Sequence, residues 1–489
     1  MLRWLLSLVL LAASPAAAQI PHFKDDRLIV DGKPFLILGG ELGNSSASNR
    51  EWLRPKWQRM KDAHLNTVLA PVNWELIEPE EGRFDFSSVD WLIEDARAHD
   101  MRLVLLWFGA WKNSMSTYTP AWVKRDRKRF PSTVDADGKA QEILSVFGAA
   151  TRESDARAFG ALMRHLKQVD GDRHTVIMVQ VENEIGFLST AREHGAAADA
   201  AFAKWKGGEE EFTAHHYARF VEALAAAGKR EYALPLFVNG AQGRPGKKPG
   251  EYPSGGPLAH LMQIWRKQAP SIDFIAPDIY FPNFAEIARG YQTKGNPFFI
   301  PEANNAGDKR AAANALHAIG ALGAFGFSPF SIENLPEGDM LGSLYAVLDG
   351  LTPSLFAAKG KAGFATPVTF DNIVDEAPQA SVLGAYRFTV NFIDPWTAKD
   401  KQVPAEHGGI LLWIGGDDYL VAGGGITVTV EPADGKGKAG LELVEEGSFV
   451  DGRWVPGRRL NGDQTHQGRH IRLPPGSHSV QRVRIYRYG

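Results

Sequence analysis

Cysteine is absent from all 489 residues, which excludes thiol nucleophiles, thiolate metal sites and disulfide staples and leaves a large core to hold the fold. A dominant charge is missing as well. The formal net charge is −3 and the pI about 6.6, which argues against nucleic acid as a partner, because phosphate recognition needs a basic field. The one basic run, Lys124 to Arg129, reads as a solvated face. Beyond the first residues, no stretch approaches the ~20 consecutive apolar residues of a membrane-spanning helix. Common chemical signatures are missing too. His215-His216 lies mid-helix without HExxH spacing, so no metal site is expected. GxSxG does not occur, and the AGGG at 422–425 leads into a strand rather than a helix, which rules out a phosphate cradle. No internal repeat, heptad or low-complexity tract is visible.

What is present begins with MLRWLLSLVLLAASPAAAQ. Arg3, the apolar run Leu5–Ala13 and the small residues Ala16-Ala17-Ala18 before Gln19 read as a cleaved leader over 1–18. Export to a bacterial periplasm or beyond is therefore expected. A chain of this length exceeds what one core usually supports, so a large domain and a smaller one are expected.

Eight apolar runs follow: 35–42, 66–74, 102–111, 176–184, 235–242, 272–281, 297–305 and 325–334. Between them lie helical patterns, for example 50–63, 89–100, 154–169, 211–228 and 308–323. Near-continuous apolar strands alternating with amphipathic helices imply a parallel sheet covered by helices. A doubly wound open sheet is the rival, and the position of polar residues decides between the two. Nearly every run ends in residues able to touch a ligand: Glu41, Asn73-Trp74-Glu75, Trp111, Asn183-Glu184, Asn239, Asp278 with Tyr280, Glu302 and Glu333. A (β/α)₈ barrel gathers such strand ends at one mouth. That assigns 19–365 to an α/β barrel. From 366 to 489, short strands between Gly, Pro and Asp turns suggest an antiparallel β-sandwich.

The stretch IMVQVENEIG (177–186) sets Glu182, Asn183 and Glu184 where a buried strand emerges. Cleaving a glycosidic bond needs one protonated and one ionised carboxyl on either side of the anomeric carbon. Glu184 ends the fourth run and Glu302 the seventh, so a barrel could set them face to face. Burial beside another carboxylate would keep Glu184 protonated, and Asn183 could bond a sugar hydroxyl. Strict alternation, however, puts Glu182 and Glu184 on one face and Asn183 on the other. Both Asn183 and Glu184 reach the mouth only if the strand has ended or bulged. Trp74 and Trp111 are candidates to stack on a sugar, while Trp107 and Trp122 read as core. Tyr280 could donate to a nucleophile or be satisfied by backbone. Glu302 and Glu333 compete for the nucleophile's place.

Asn183-Glu184 and Glu302 in FFIPEANN resemble the acid/base and nucleophile of clan A retaining glycosidases. Residues 57–111 are similar to the early barrel of glycoside hydrolase family 35, the β-galactosidases, and the core WELIEPEEGRFDF (74–86) is also similar to family 42. The likeness runs over roughly 35–305, and the C-terminal part resembles the β-domain of a bacterial subgroup of family 35. It implies Glu184 as acid/base, Glu302 as nucleophile, Asn183 near the 2-hydroxyl, Glu333 in substrate binding, no cofactor, and exo action on terminal β-galactose; the expected export favours an oligo- or polysaccharide source such as plant cell-wall side chains. Two segments depart from the family: Pro71 stands where many members have tyrosine, and Gly109-Ala110-Trp111-Lys112-Asn113 where they have Cys-Ala-Glu-Trp. The departures leave another β-linked sugar as an alternative; a carbohydrate-binding barrel without turnover is a further one, against which the presence of both candidate carboxylates counts.

Overall fold

The computed structural model describes residues 19–358, 360–369, 374–450 and 452–489; the leader expected at 1–18 lies outside them. Eight parallel strands lie side by side: β1 (Ile37–Glu41), β2 (Thr67–Asn73), β3 (Arg102–Lys112), β4 (Val176–Asn183), β5 (Leu236–Ala241), β6 (Phe274–Ile279), β7 (Glu302–Ala303) and β8 (Gly326–Phe327). Their order is β7-β6-β5-β4-β3-β2-β1-β8. A bridge from Ile300 to Phe327 and the 3.1 Å bond from Ala303 N–H to the Ser328 carbonyl join the two ends. The sheet is a closed barrel, not the open rival. The seventh strand is short partly because Pro301 has no N–H to give a ladder.

Each strand is followed by a helix: α1 (Trp57–Asp62), α2 (Ser87–Ala98), α3 (Ala149–Asp170), α4 (Glu209–Glu231), α5 (Met262–Gln268), α6 (Phe284–Tyr291), α7 (Ala311–Leu316) and α8 (Met340–Ala357). Strands covered on both faces explain the unbroken apolar runs. On β3, Val104, Leu106 and Phe108 pack in one cluster with Phe237, Phe274 and Phe299. Leu103, Leu105 and Trp107 pack in the other, beneath the helices. Strand alternation thus separates a lumen core from an outer core. A three-stranded N-terminal sheet closes the foot of the lumen, where Phe23 packs edge-on against Phe274 and Phe325.

A six-stranded and a four-stranded antiparallel sheet enclose a separate core that includes Phe388, Val421, Ile426, Val428, Ile471 and Val483. Antiparallel pairing begins with Ala362–Ala365 against Gly408–Gly415, inside the stretch assigned to the barrel from sequence. α8 lies between barrel and sandwich. Tyr345 donates to the carbonyls of Gly39 and Phe327 on the barrel side, and Ser343 meets His478 on the sandwich side. Among the described residues α8 alone is long and apolar enough to cross a membrane, with mean hydropathy 1.2. Its apolar character has another cause here: both of its sides face protein.

Candidate active site

The strand-alternation conflict at VENE is resolved by backbone strain. Glu182 (φ 61°) and Glu184 (φ 47°) both adopt the left-handed conformation that costs an L-residue energy. The pleat is broken twice in three residues. Asn183 and Glu184 therefore both face the mouth, while Glu182 turns toward β3 and α3.

At the mouth, single carboxylate oxygens of Glu184, Asp278 and Glu302 all lie within 4.8 Å of one another. Tyr280 Oη donates to Glu302 Oε1 at 2.5 Å, as the sequence suggested it could. Glu302 Oε2 is buried without a partner. Glu184 is held at three points. Its N–H donates to Asn239 Oδ1 at 3.0 Å, its carbonyl accepts from Ser114 Oγ at 2.6 Å, and its Oε2 accepts from Asn113 Nδ2. Asn239 Nδ2 in turn donates to Asp278 at 2.6 Å.

Lys112, whose chemistry composition could not reveal, is buried at the end of β3. Its ammonium donates to Asn183 Oδ1 at 2.7 Å and lies over the Phe108 ring. The position at a strand end was the only signal for it. Around this cation burial dominates, and the carboxylates repel one another. Burial, then the charge of Glu302, raise Glu184 to about 7, against a partial opposing pull from Lys112. Asp278 and Glu41 are raised for the same two reasons in the same order. Burial followed by Glu302 also raises Tyr280, so its phenol stays a donor. The three clustered oxygens are spaced closely enough for a cation, though Lys112 already supplies positive charge beside them.

The buried polar atoms without a protein partner include Glu41 Oε1, Asn73 Oδ1, Asn183 Nδ2, Asp278 Oδ1 and Glu302 Oε2, all at strand ends. Buried polar atoms are rarely left unpaired in folded proteins. Polar groups of this kind, carboxyls beside side-chain amides, suit a hydroxyl-rich ligand.

Three of the expected contacts fall elsewhere. Trp74 is fully buried, donates Nε1–H to Glu78 at 2.8 Å and packs against Trp107 and Trp122. Trp111 is equally buried, edge-on to Phe220 and beside Tyr217 of α4. Neither ring offers a face to a sugar, because each turned outward into the layer between strands and helices. Glu333 stays outside the carboxylate trio. It accepts from Ser46 Oγ at 2.5 Å and from Gly43 N–H at 3.2 Å, tying the loop after β8 to the loop after β1. Of the two candidates for nucleophile, Glu302 is the one brought beside Glu184.

Comparison with known proteins adds a family signal. Residues 45–219 match the glycoside hydrolase family 42 profile described as "Beta-galactosidase". Residues 341–472 match a domain of unknown function. The first match contains Asn183 and Glu184 and stops before Asp278 and Glu302. A β-galactosidase of Xanthomonas manihotis is 29% identical over 210 residues, 40% of this chain and 32% of that protein. One of Halorubrum lacusprofundi is 30% identical over 164 residues, 32% of this chain and 22% of that protein. The chain thus spans about a third or less of these relatives. The catalytic domain of a β-amylase from Paenibacillus polymyxa superposes with a TM-score of 0.52 at 10% identity, covering 64% of this chain and 97% of that one. At that identity the likeness is one of fold.

Proposed function

We propose that this chain is a retaining exo-glycosidase that removes terminal β-D-galactosyl residues from oligo- or polysaccharides, of the kind found in family 35. The observation that carries the reading is the spacing of Glu184 and Glu302, within 4.8 Å by their nearer oxygens. Retaining enzymes hold the two carboxyl groups ~5–5.5 Å apart, and inverting enzymes ~6.5–9.5 Å apart to admit a water. A carbohydrate-binding barrel would need no such pair. The β-galactosidase relatives support galactose as the sugar.

In the first step Glu302 attacks the anomeric carbon through Oε2, its oxygen free of other bonds. Tyr280 meanwhile holds Oε1. The glycosidic bond breaks and its oxygen takes the proton from Glu184, which burial has kept protonated near neutrality. In the second step Glu184 removes a proton from water, the water oxygen bonds to the anomeric carbon, and Glu302 departs as carboxylate. Asn183 Nδ2, buried without a protein partner, would donate to the 2-hydroxyl. Removal of 1–18 as a leader would put the enzyme outside the cytoplasm, where plant cell-wall side chains are one source of such galactose.

A panel of nitrophenyl glycosides tests the reading. The β-D-galactoside should be turned over fastest, with the β-anomer of galactose as first product by NMR. Lys112 and Asn113 in a segment that departs from family 35 favour one second reading, a different β-linked sugar. Faster release from a β-glucoside, β-fucoside or arabinoside would select it, and an inverted product would end the retaining mechanism.

A further inference from the structure

Glu182 takes no part in the two chemical steps, yet it is buried and held in a strained conformation. Its surroundings supply a role. β3 and β4 pair Trp107 with Val181 and next Lys112 with Asn183, so residues 108–111 stand opposite Glu182 alone. Such a bulge strands amide N–H groups that a regular ladder would satisfy. Carboxylates answer them. Ala110 N–H lies 3.1 Å from Glu182 Oε1 and 3.0 Å from Asp155 Oδ2, and Trp111 N–H lies 2.9 Å from Glu182 Oε2. Asp155, on α3, also accepts Trp107 Nε1–H at 2.8 Å. A β-carbon added to Gly109 would lie 2.8 Å from both Asp155 Oδ2 and Glu182 Oε1. Two carboxyl oxygens therefore converge on one buried N–H, where two full negative charges repel strongly.

We propose that Glu182 and Asp155 share one proton and form a positioning pair, which sets the β3 bulge at the height that brings Lys112 onto Asn183 and Asn113 onto Glu184. Electrostatics agree with the geometry: burial and then the charge of Asp155 push Glu182 well above the usual carboxylate range, and burial lifts Asp155 to about 6. The inference rests on Glu184 being the acid/base. If the bulge shifts, Asn113 releases Glu184, and substrates whose leaving group needs protonation suffer most.

Amide substitutions test this. Glu182→Gln or Asp155→Asn alone keeps one hydrogen between the two side chains, so each single variant should lose no more than about threefold in kcat. The double variant sets two NH2 groups against each other. It should lose about 100-fold in kcat on a phenyl galactoside, a loss in the range general-acid catalysis supplies, and only a few-fold on a dinitrophenyl galactoside, with KM nearly unchanged. A single variant as impaired as the double would overturn the shared proton. A double variant that loses thermal stability but slows both substrates equally would reduce the pair to a structural contact. Infrared spectroscopy needs only the conservative variant: a protonated-carboxyl stretch of the wild type should vanish in Glu182→Gln, and identical spectra would also overturn the proposal. A wild type inert on every aryl glycoside would instead remove the assignment of Glu184, leaving the infrared result to judge the pair by itself.

Discussion

Glu184 and Glu302 look alike by burial, and the proposed mechanism gives them different tasks. With Glu302→Ala the group that would form the glycosyl bond is gone, and turnover of good and poor leaving groups alike should fall by at least about 10⁴-fold. Glu184→Ala should spare glycosylation of an activated aryl galactoside and stall the second step. Azide, which needs no base, should then speed that variant and yield a β-galactosyl azide by two inversions, whereas any azide rescue of Glu302→Ala should give the α-azide by one inversion; a β-azide from Glu302→Ala with an α-azide from Glu184→Ala would exchange the two roles. A second prediction follows from the raised pKa of Glu184. Its ordinary value is 4.5 and burial, then Glu302, lift it to about 7, so between those values the folded state holds a proton that the unfolded chain has released. Unfolding free energy must therefore fall as pH rises through that window. The Tm advantage of Glu184→Gln over wild type should widen from pH 4.5 to 7 in calorimetry, and the wild-type rate should decline on the alkaline side of about pH 7. A gap constant with pH would remove the raised pKa.

Strands and helices decide which aromatic side chains see a ligand. Trp74 and Trp111 face the layer under the helices, so truncation to Ala should cost stability, about 3–5 kcal/mol for a buried Trp, before it touches KM. Chemical denaturation with parallel kinetics distinguishes this from sugar stacking, in which KM would rise at unchanged stability. These two residues mark where sequence reasoning stops. The eight strands were legible because period and polarity repeat at every strand end, and Glu184 and Glu302 were legible because each closes an apolar run. The direction in which Trp111 points was not, since it depends on a bulge in β3 whose cause, the Glu182–Asp155 contact, joins residues from two separate elements. Lys112 escaped for the same reason: a lysine after an apolar run usually signals solvent, and only the bulge turns it inward. Glu333 ends a strand run as Glu302 does, but its partners Gly43 and Ser46 come from the far end of the barrel sequence.

At the scale of the molecule, barrel and sandwich share α8. Ile410, Leu412, Leu420, Ala422 and Val480 of the sandwich belong to the same continuous core as the barrel's outer layer, and Gly350 of α8 sits against Phe449. A chain stopped after residue 358 should therefore fail to give a soluble barrel, or should bind a hydrophobic dye strongly, because α8 would present an apolar patch larger than monomeric proteins usually expose. Recovery of that fragment as a soluble monomer with wild-type kcat would show that the sandwich is dispensable. The arrangement also sets a hazard during synthesis. A ribosome delivers α8 before any strand of the sheets that cover it, and Ser479–Tyr488, which lies between Asp418–Gly424 and Lys438–Val450 in the six-stranded sheet, is made after both its neighbours. Until then the nascent chain carries an apolar helix without the sheets that cover it, the kind of transiently exposed surface on which unfinished chains aggregate. How fast the last-made strand inserts thus sets how long the sandwich-facing side of α8 stays uncovered.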